Sequence, residues 1–308
     1  MASPVSRIST TVRSSLQLGA VRLRFQVLGA LNPRTTLRAA GKLFATPFRS
    51  SRARAIAAPI GDARTSSFTV NGQDIATYVW GNPARQPYVL FAHGWSSHGT
   101  RFLPWVPKLR EAGYAVVAFD QPAHGRSSGE QATLPCFANT LLEVGRRFGP
   151  AALLVGHSLG GAAASVALAH GLQAERVLLI APAADPEAAT ERFAQMVALP
   201  QRLFRALICS FERHVGVAFD DLQAHHNAPL IARPALIVHD LEDREVPWSE
   251  GERYARYWAD SRLVTTRGLG HNRIAGDAGT IAAALRFLRG ETVGERVVSS
   301  PNLPYGFA

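Results

Sequence analysis

The chain has 308 residues, 47% of them hydrophobic and 18% charged, which is enough apolar material for a sizeable core and excludes a disordered chain. The net charge of +10 is confined to one end: residues 1–61 hold ten of the 33 basic residues and no acid, and the remaining 23 basic residues face 23 acids. A body balanced in this way gives no support to nucleic-acid binding, and two cysteines (Cys136 and Cys209) build no disulfide framework and fit a reducing, cytoplasmic compartment.

Residues 1–60 form a basic N-terminal extension. Leu16, Leu18, Val21, Leu23, Phe25, Val27 and Leu28 alternate with Arg22 and Arg24 in a basic amphipathic helical pattern, and Leu37, Leu43 and Phe44 follow before Thr46-Pro47 stops the helix. Such a segment packs on the body or lies weakly on an anionic membrane surface. Its Arg- and Ser-rich, acid-free composition also matches an organelle transit peptide. The longest apolar run, residues 151–172, contains Gly156, His157, Gly160 and Gly161, so no transmembrane helix is expected.

From residue 61 to 290 strands and helices alternate. Residues 68–70 and 75–80 read as a hairpin turned by Asn71-Gly72. Strands follow at 88–92, 114–119, 151–155 and 176–180, with helices at 102–112 and 133–148. Residues 185–229 break the alternation: they are helix-like, with Phe204, Leu207, Ile208 and Phe211 on one face. Strands resume at 235–238 and 262–266, with helices at 249–258 and 278–288, and residues 291–308 read as a loose tail. This alternation predicts an α/β class with a mostly parallel, doubly wound sheet.

Three stretches carry chemistry. Residues 151–155 run into Gly156-His157-Ser158-Leu159-Gly160 and then a small-residue helix. This is a sharp strand–turn–helix in which glycines permit close backbone approach and the serine hydroxyl stands clear of the sheet. A serine hydroxyl is a poor nucleophile at neutral pH and needs a base held by an acid. His271, in Gly268-Leu269-Gly270-His271-Asn272 just past a strand, is the candidate base, and Asp240, Glu242, Asp243 and Glu245 compete as the acid in the loop after 235–238. Two further loops, His93-Gly94-Trp95 and Asp120-Gln121-Pro122-Ala123-His124-Gly125-Arg126-Ser127, lie at strand ends. His225 and His226 are adjacent, so their side chains are expected to diverge, and no metal site or cofactor is expected.

With these motifs in this order, the chain resembles an α/β-hydrolase over residues 67–289, and its Phe44-Ala45-Thr46-Pro47 is similar to a stretch in bacterial hydrolases of this kind. The resemblance implies a Ser–acid–His order. It places the acid on Asp243, with Asp240 where the family usually has Gly, and leaves Asp185 as the acid of a rarer arrangement. It implies oxyanion donors in the N–H groups of Leu159 and Trp95, and Ala123 stands where the family has Gly. Residues 185–229 would be a small helical cap, with Phe204, Leu207 and Phe211 as substrate contacts and His93 as a further one. The implied activity is cleavage of a small carboxylic ester through an acyl-enzyme on Ser158. Thioesterase, amidase or aminopeptidase and acyltransferase chemistry use the same triad, and a non-catalytic ligand-binding protein uses the same fold.

Overall fold

The computed structural model describes residues 4–297, with side chains from residue 18 onward. The strands are β1 (Arg64–Val70), β2 (Gln73–Trp80), β3 (Tyr88–Ala92), β4 (Ala115–Phe119), β5 (Ala151–His157), β6 (Ala174–Ile180), β7 (Ala235–Asp240) and β8 (Ser261–Thr266). The α-helices are α1 (Pro4–Leu31), α2 (Pro33–Ala45), α3 (Arg49–Ala57), α4 (Val106–Glu111), α5 (Leu134–Phe148), α6 (Leu159–Ala169), α7 (Pro186–Met196), α8 (Gln201–Val215), α9 (Ala224–Asn227), α10 (Trp248–Tyr257), α11 (Gly270–Arg273) and α12 (Ala278–Leu288). They divide into two units: an α/β unit from residues 46–185 and 220 onward, and a helical unit from the residues up to 45 together with 186–219.

In the α/β unit the eight strands form one sheet in the order β1-β2-β4-β3-β5-β6-β7-β8. Asn71 and Gly72 both take positive φ, 48° and 76°, which is what a tight hairpin turn between β1 and β2 needs. That hairpin runs antiparallel to β4, and β3 to β8 are mutually parallel. Strands β3, β4 and β5 are buried along their whole length, as central parallel strands covered on both faces must be. Helices α4, α6, α10 and α12 pack on this sheet.

Phe91 stacks on Phe102 at 4.5 Å and meets Trp105 edge-on at 5.4 Å, and the Trp105 indole N–H donates to the Ala275 carbonyl at 2.7 Å. The helix expected over 102–112 is in fact a 3-10 segment, Gly99–Trp105, followed by α4. Pro104 lacks the amide that an α-helix would need there.

Residues 46–60 belong with the α/β unit rather than with the rest of the extension. Their polar groups are used locally: Arg52 donates to the carbonyls of Ser127 and Gly129 at 2.5 and 2.9 Å, and the Phe48 N–H donates to Ser96 Oγ at 3.1 Å. At the other end, residues 291–297 are not loose. Glu295 and Leu263 exchange two backbone hydrogen bonds of 2.8 Å, and Val293 is buried. The rest of the expected tail, 298–308, lies outside the described residues.

The helical unit contains α1, α2, α7 and α8. Asn32 begins α2, its carboxamide oxygen accepting from the Thr35 N–H at 3.2 Å, with Pro33 in the first turn where its missing amide costs nothing. Helix α2 ends at Ala45, immediately before Thr46-Pro47. Phe25, Ala40, Ala194, Val197, Leu203, Phe204 and Leu207 make its core. Phe44 contacts Phe193 at 5.0 Å and Phe211 at 5.3 Å. Burying a Phe or Leu side chain contributes about 1.5–3 kcal/mol, so this cluster is what holds the four helices together. No helix among the described residues is long and apolar enough to cross a membrane.

Candidate active site

Ser158 sits between β5 and α6 with φ 56° and ψ −124°, a strained conformation for a residue with a side chain. The close packing around it dictates its neighbours. A Cβ on Gly156 would lie 2.7 Å from the Gly160 carbonyl oxygen, and one on Gly160 would lie 2.3 Å from that of Ala92. Either would push the helix off the sheet, so both positions require glycine.

Ser158 Oγ lies 2.9 Å from Nε2 of His271, and His271 Nδ1 lies 2.7 Å from Oδ2 of Asp243. The serine is half-buried, and the other two side chains are almost wholly buried. Asp243 Oδ1 accepts from the N–H groups of Glu245 and Val246 at 2.8 and 2.9 Å, and Nε2 of His239 lies 3.3 Å from Oδ2. Burial alone would raise the Asp243 pKa, but the hydrogen bonds from His239, His271 and the Val246 amide outweigh it and hold the carboxyl far below the usual carboxylate range. The three residues therefore make one hydrogen-bonded line from an ionised carboxylate to a hydroxyl.

The other acids are engaged elsewhere. Asp240 accepts from Thr266 Oγ1 and from the N–H groups of Leu269 and Glu242, so it ties the ends of two loops together and does not face His271. Asp185 pairs with Arg253 at 2.9 Å.

Gly94 runs against Ser158: a Cβ there would fall 2.7 Å from Ser158 Cβ. Trp95 follows it, with its ring stacked on Phe137 at 6.1 Å. Among the described residues neither the Trp95 nor the Leu159 N–H has a hydrogen-bond acceptor. His93 is corrected as a substrate contact. It is fully buried, Nδ1 donates to the Gly94 carbonyl at 2.7 Å, and Nε2 accepts from the Gln121 N–H at 2.9 Å. It fastens two loops and stays neutral, burial above all pushing its pKa well down. Ala123 adopts φ 66°, the left-handed conformation that explains a glycine preference at that position.

Phe204 and Leu207 are likewise corrected as substrate contacts: both are buried in the core of the helical unit, and Phe211 packs on Phe44 and Phe219 there or nearby in sequence. The His225 and His226 rings do not diverge. Their centroids are 4.3 Å apart and both Nε2 atoms turn to Asp220, at 3.9 and 3.0 Å. Asp220, His225 and His226 are thus grouped closely enough to share a cation, at the surface and with no buried donor.

Two groups beside Ser158, His271 and Asp243 had no sequence signal of their own. His157 Nε2 donates to the His271 carbonyl at 2.9 Å, and its Nδ1 faces Nη1 of Arg101 at 3.3 Å. Because a guanidinium only donates, Nδ1 is the acceptor and the proton sits on Nε2. Burial, then the Arg101 charge, push the His157 pKa well below its ordinary value and keep the ring neutral. Only its place one residue before Ser158 hinted at a role.

The architecture is that of known hydrolases. Pimeloyl-[acyl-carrier protein] methyl ester esterase of Xanthomonas campestris pv. campestris (strain B100) is 26% identical over 246 residues, covering 65% of this chain and 93% of that protein. A solved structure described as a membrane phospholipase A, a novel bacterial virulence factor, superposes with a TM-score of 0.58 at 21% identity, over 90% of this chain and 98% of that one. The thioesterase domain from the curacin biosynthetic pathway gives a TM-score of 0.55 at 19% identity, over 74% of this chain and 100% of that domain. These two structural likenesses bear on the fold alone. The model of the alpha/beta hydrolase family matches residues 89–284, more than half of the sequence, and the chain belongs to that family.

Proposed function

We propose that the chain is a serine hydrolase of carboxylic esters, and the observation that carries this reading is the hydrogen-bonded line Ser158–His271–Asp243. Ser158 Oγ attacks the ester carbonyl while His271 Nε2 takes its proton. Asp243, ionised and held by two backbone amides, fixes the ring with its N–H on Nδ1 and stabilises the imidazolium that forms. The N–H groups of Leu159 and Trp95, having no acceptor among the described residues, serve the developing oxyanion. His271 returns the proton to the leaving alcohol, an acyl-enzyme remains on Ser158, and water activated by His271 releases the acid.

The esterase relative, which acts on a methyl ester of an acyl-carrier-protein conjugate by its name, supports an ester in preference to an amide. The test is labelling by a fluorophosphonate probe, wild type beside Ser158→Ala and His271→Ala, with turnover of p-nitrophenyl esters of increasing chain length. Labelling and turnover of the wild type alone meet the expectation. A wild type inert to probe and esters alike would leave a ligand-binding protein on the hydrolase fold.

The helical arm keeps a second role in this reading, contact with an anionic lipid surface. On α1, Leu23, Val27 and Leu31 recur every four residues and are 63%, 48% and 76% exposed, flanked by Arg22 and Arg24. Binding to anionic vesicles that weakens with salt and is lost on replacing the three apolar residues by serine tests it.

A further inference from the structure

An open cavity of about 470 Å³ lies in the α/β unit beside the triad, and its wall is cationic. Arg54, Arg101 and Arg273 all line it, with Ser97, His98 and Trp95 among their neighbours. None of the three guanidiniums is in ion-pair contact with a carboxylate among the described residues. Arg54 donates to Ser51 Oγ at 3.1 Å. Arg273 donates to the carbonyls of Leu269 and Gly268. Arg101 donates to Ser97 Oγ at 3.0 Å, to His157 Nδ1 and to the Asn272 carbonyl at 3.1 Å. All of these partners are neutral.

Arg101 is the most telling of the three. Burial lowers its pKa, opposed by the charge of Glu245, which is itself held by Asn272 Nδ2 at 2.6 Å. A half-buried guanidinium at the wall of an open cavity, with no carboxylate in ion-pair contact, is placed to take an anion. Three forked donors around one space suit phosphate better than a carboxylate, because phosphate offers enough oxygens to engage several guanidiniums at once.

The cavity also borders residues next to the proposed reacting groups. Trp95 contributes to its wall and carries a proposed oxyanion donor, Asn272 follows the base, and Arg101 bonds the histidine that precedes the nucleophile. An anion seated there can belong to the molecule whose carbonyl reaches Ser158.

We propose that Arg54, Arg101 and Arg273 form a subsite for a phosphate group borne by the ester substrate, so that the enzyme selects acyl esters of phosphorylated alcohols; this rests on the serine-hydrolase reading above. The subsite acts in binding, and no bond to phosphorus is made or broken.

The test compares a short-chain monoacylglycerol with the same ester carrying a 3-phosphate, at constant ionic strength, in the full-length protein. Wild type is expected to favour the phosphate ester in kcat/KM by about tenfold or more, as charge-assisted hydrogen bonds imply. The double variant Arg54→Gln/Arg273→Gln loses most of that preference, chiefly through KM, whereas Arg85→Gln, the same charge change at an exposed position outside the cavity wall, keeps it. In a second readout, inorganic phosphate raises the Tm of wild type more than that of the double variant.

Equal handling of the two esters by an enzyme that turns both over overturns the proposal, and so does a preference that survives in the double variant. A phosphate effect on Tm without ester preference would mean a site for the free anion, which overturns the substrate assignment. Failure to turn over either glycerol ester or any p-nitrophenyl ester would instead bring down the hydrolase reading, and this inference with it.

Discussion

His157 Nε2 donates to the backbone carbonyl of His271 across 2.9 Å, so the residue that precedes the proposed nucleophile holds the main chain of the proposed base. The two are 114 positions apart, and the bond ties the main chain of His271 beside Ser158, whose Oγ lies 2.9 Å from His271 Nε2. His157→Phe removes the donor. The expected result is a fall in kcat of about 10–100-fold with little change in KM, because a displacement on the order of 1 Å in such a pair is that costly. Steady-state kinetics on a p-nitrophenyl ester check it; an unchanged kcat would show that the His271 loop is held by other contacts.

Asp243 and Asp240 lie three residues apart and are expected to respond differently. Asp243→Asn should lower kcat by about 10⁴, since the amide no longer selects the imidazole form with its proton on Nδ1. Asp240→Asn should cost stability, about 1–3 kcal/mol, by weakening its hold on Thr266 Oγ1 and the Leu269 and Glu242 amides. Denaturant melts beside kinetics separate the two. An Asp240 variant with the larger kinetic loss would reassign the acid.

Three buried histidines govern the acid limb of stability. Burial pushes His93, His124 and His157 below their ordinary values, His124 to about 4. In the unfolded chain each takes up a proton near pH 6.5. Their contribution is therefore complete above about pH 6.5 and is lost as pH falls toward the folded values, at about 1.4 kcal/mol per pH unit for each histidine inside its window. Asp243, with its carboxyl depressed, contributes above about pH 3.9 and is lost only in stronger acid. Urea midpoints at pH 7.5, 5.5 and 4.5 should decline steadily; a flat profile would mean that these rings are protonated in the fold.

Phe204 and Leu207 separate packing from substrate contact. Each is buried against the core of the helical unit. Phe204→Ala should cost about 3–5 kcal/mol and Leu207→Ala about 2–5 kcal/mol in the stability of that unit. The order of preference along an ester chain-length series should stay as in wild type. A shifted optimum with unimpaired stability would return these residues to the substrate.

Much of the α/β unit was legible in the sequence because its signals are local. A strand buried on both faces must be apolar throughout, which marks β3, β4 and β5, and Gly156-His157-Ser158-Leu159-Gly160 can only be accommodated where a chain turns sharply against its neighbours. Asn71-Gly72 announces its hairpin for the same reason. What tertiary structure alone decided are contacts between positions distant along the chain. Four acids stand within six residues, from Asp240 at the end of β7 to Glu245 in the loop after it, and only the folded chain turns Asp243 to His271 and Asp240 to Thr266. The apolar face of α8 was plain from its spacing, but spacing carries no address, and its partners are the N-terminal helices. Arg101 gave no local signal, since a guanidinium acquires its meaning from what surrounds it and from the carboxylate that does not.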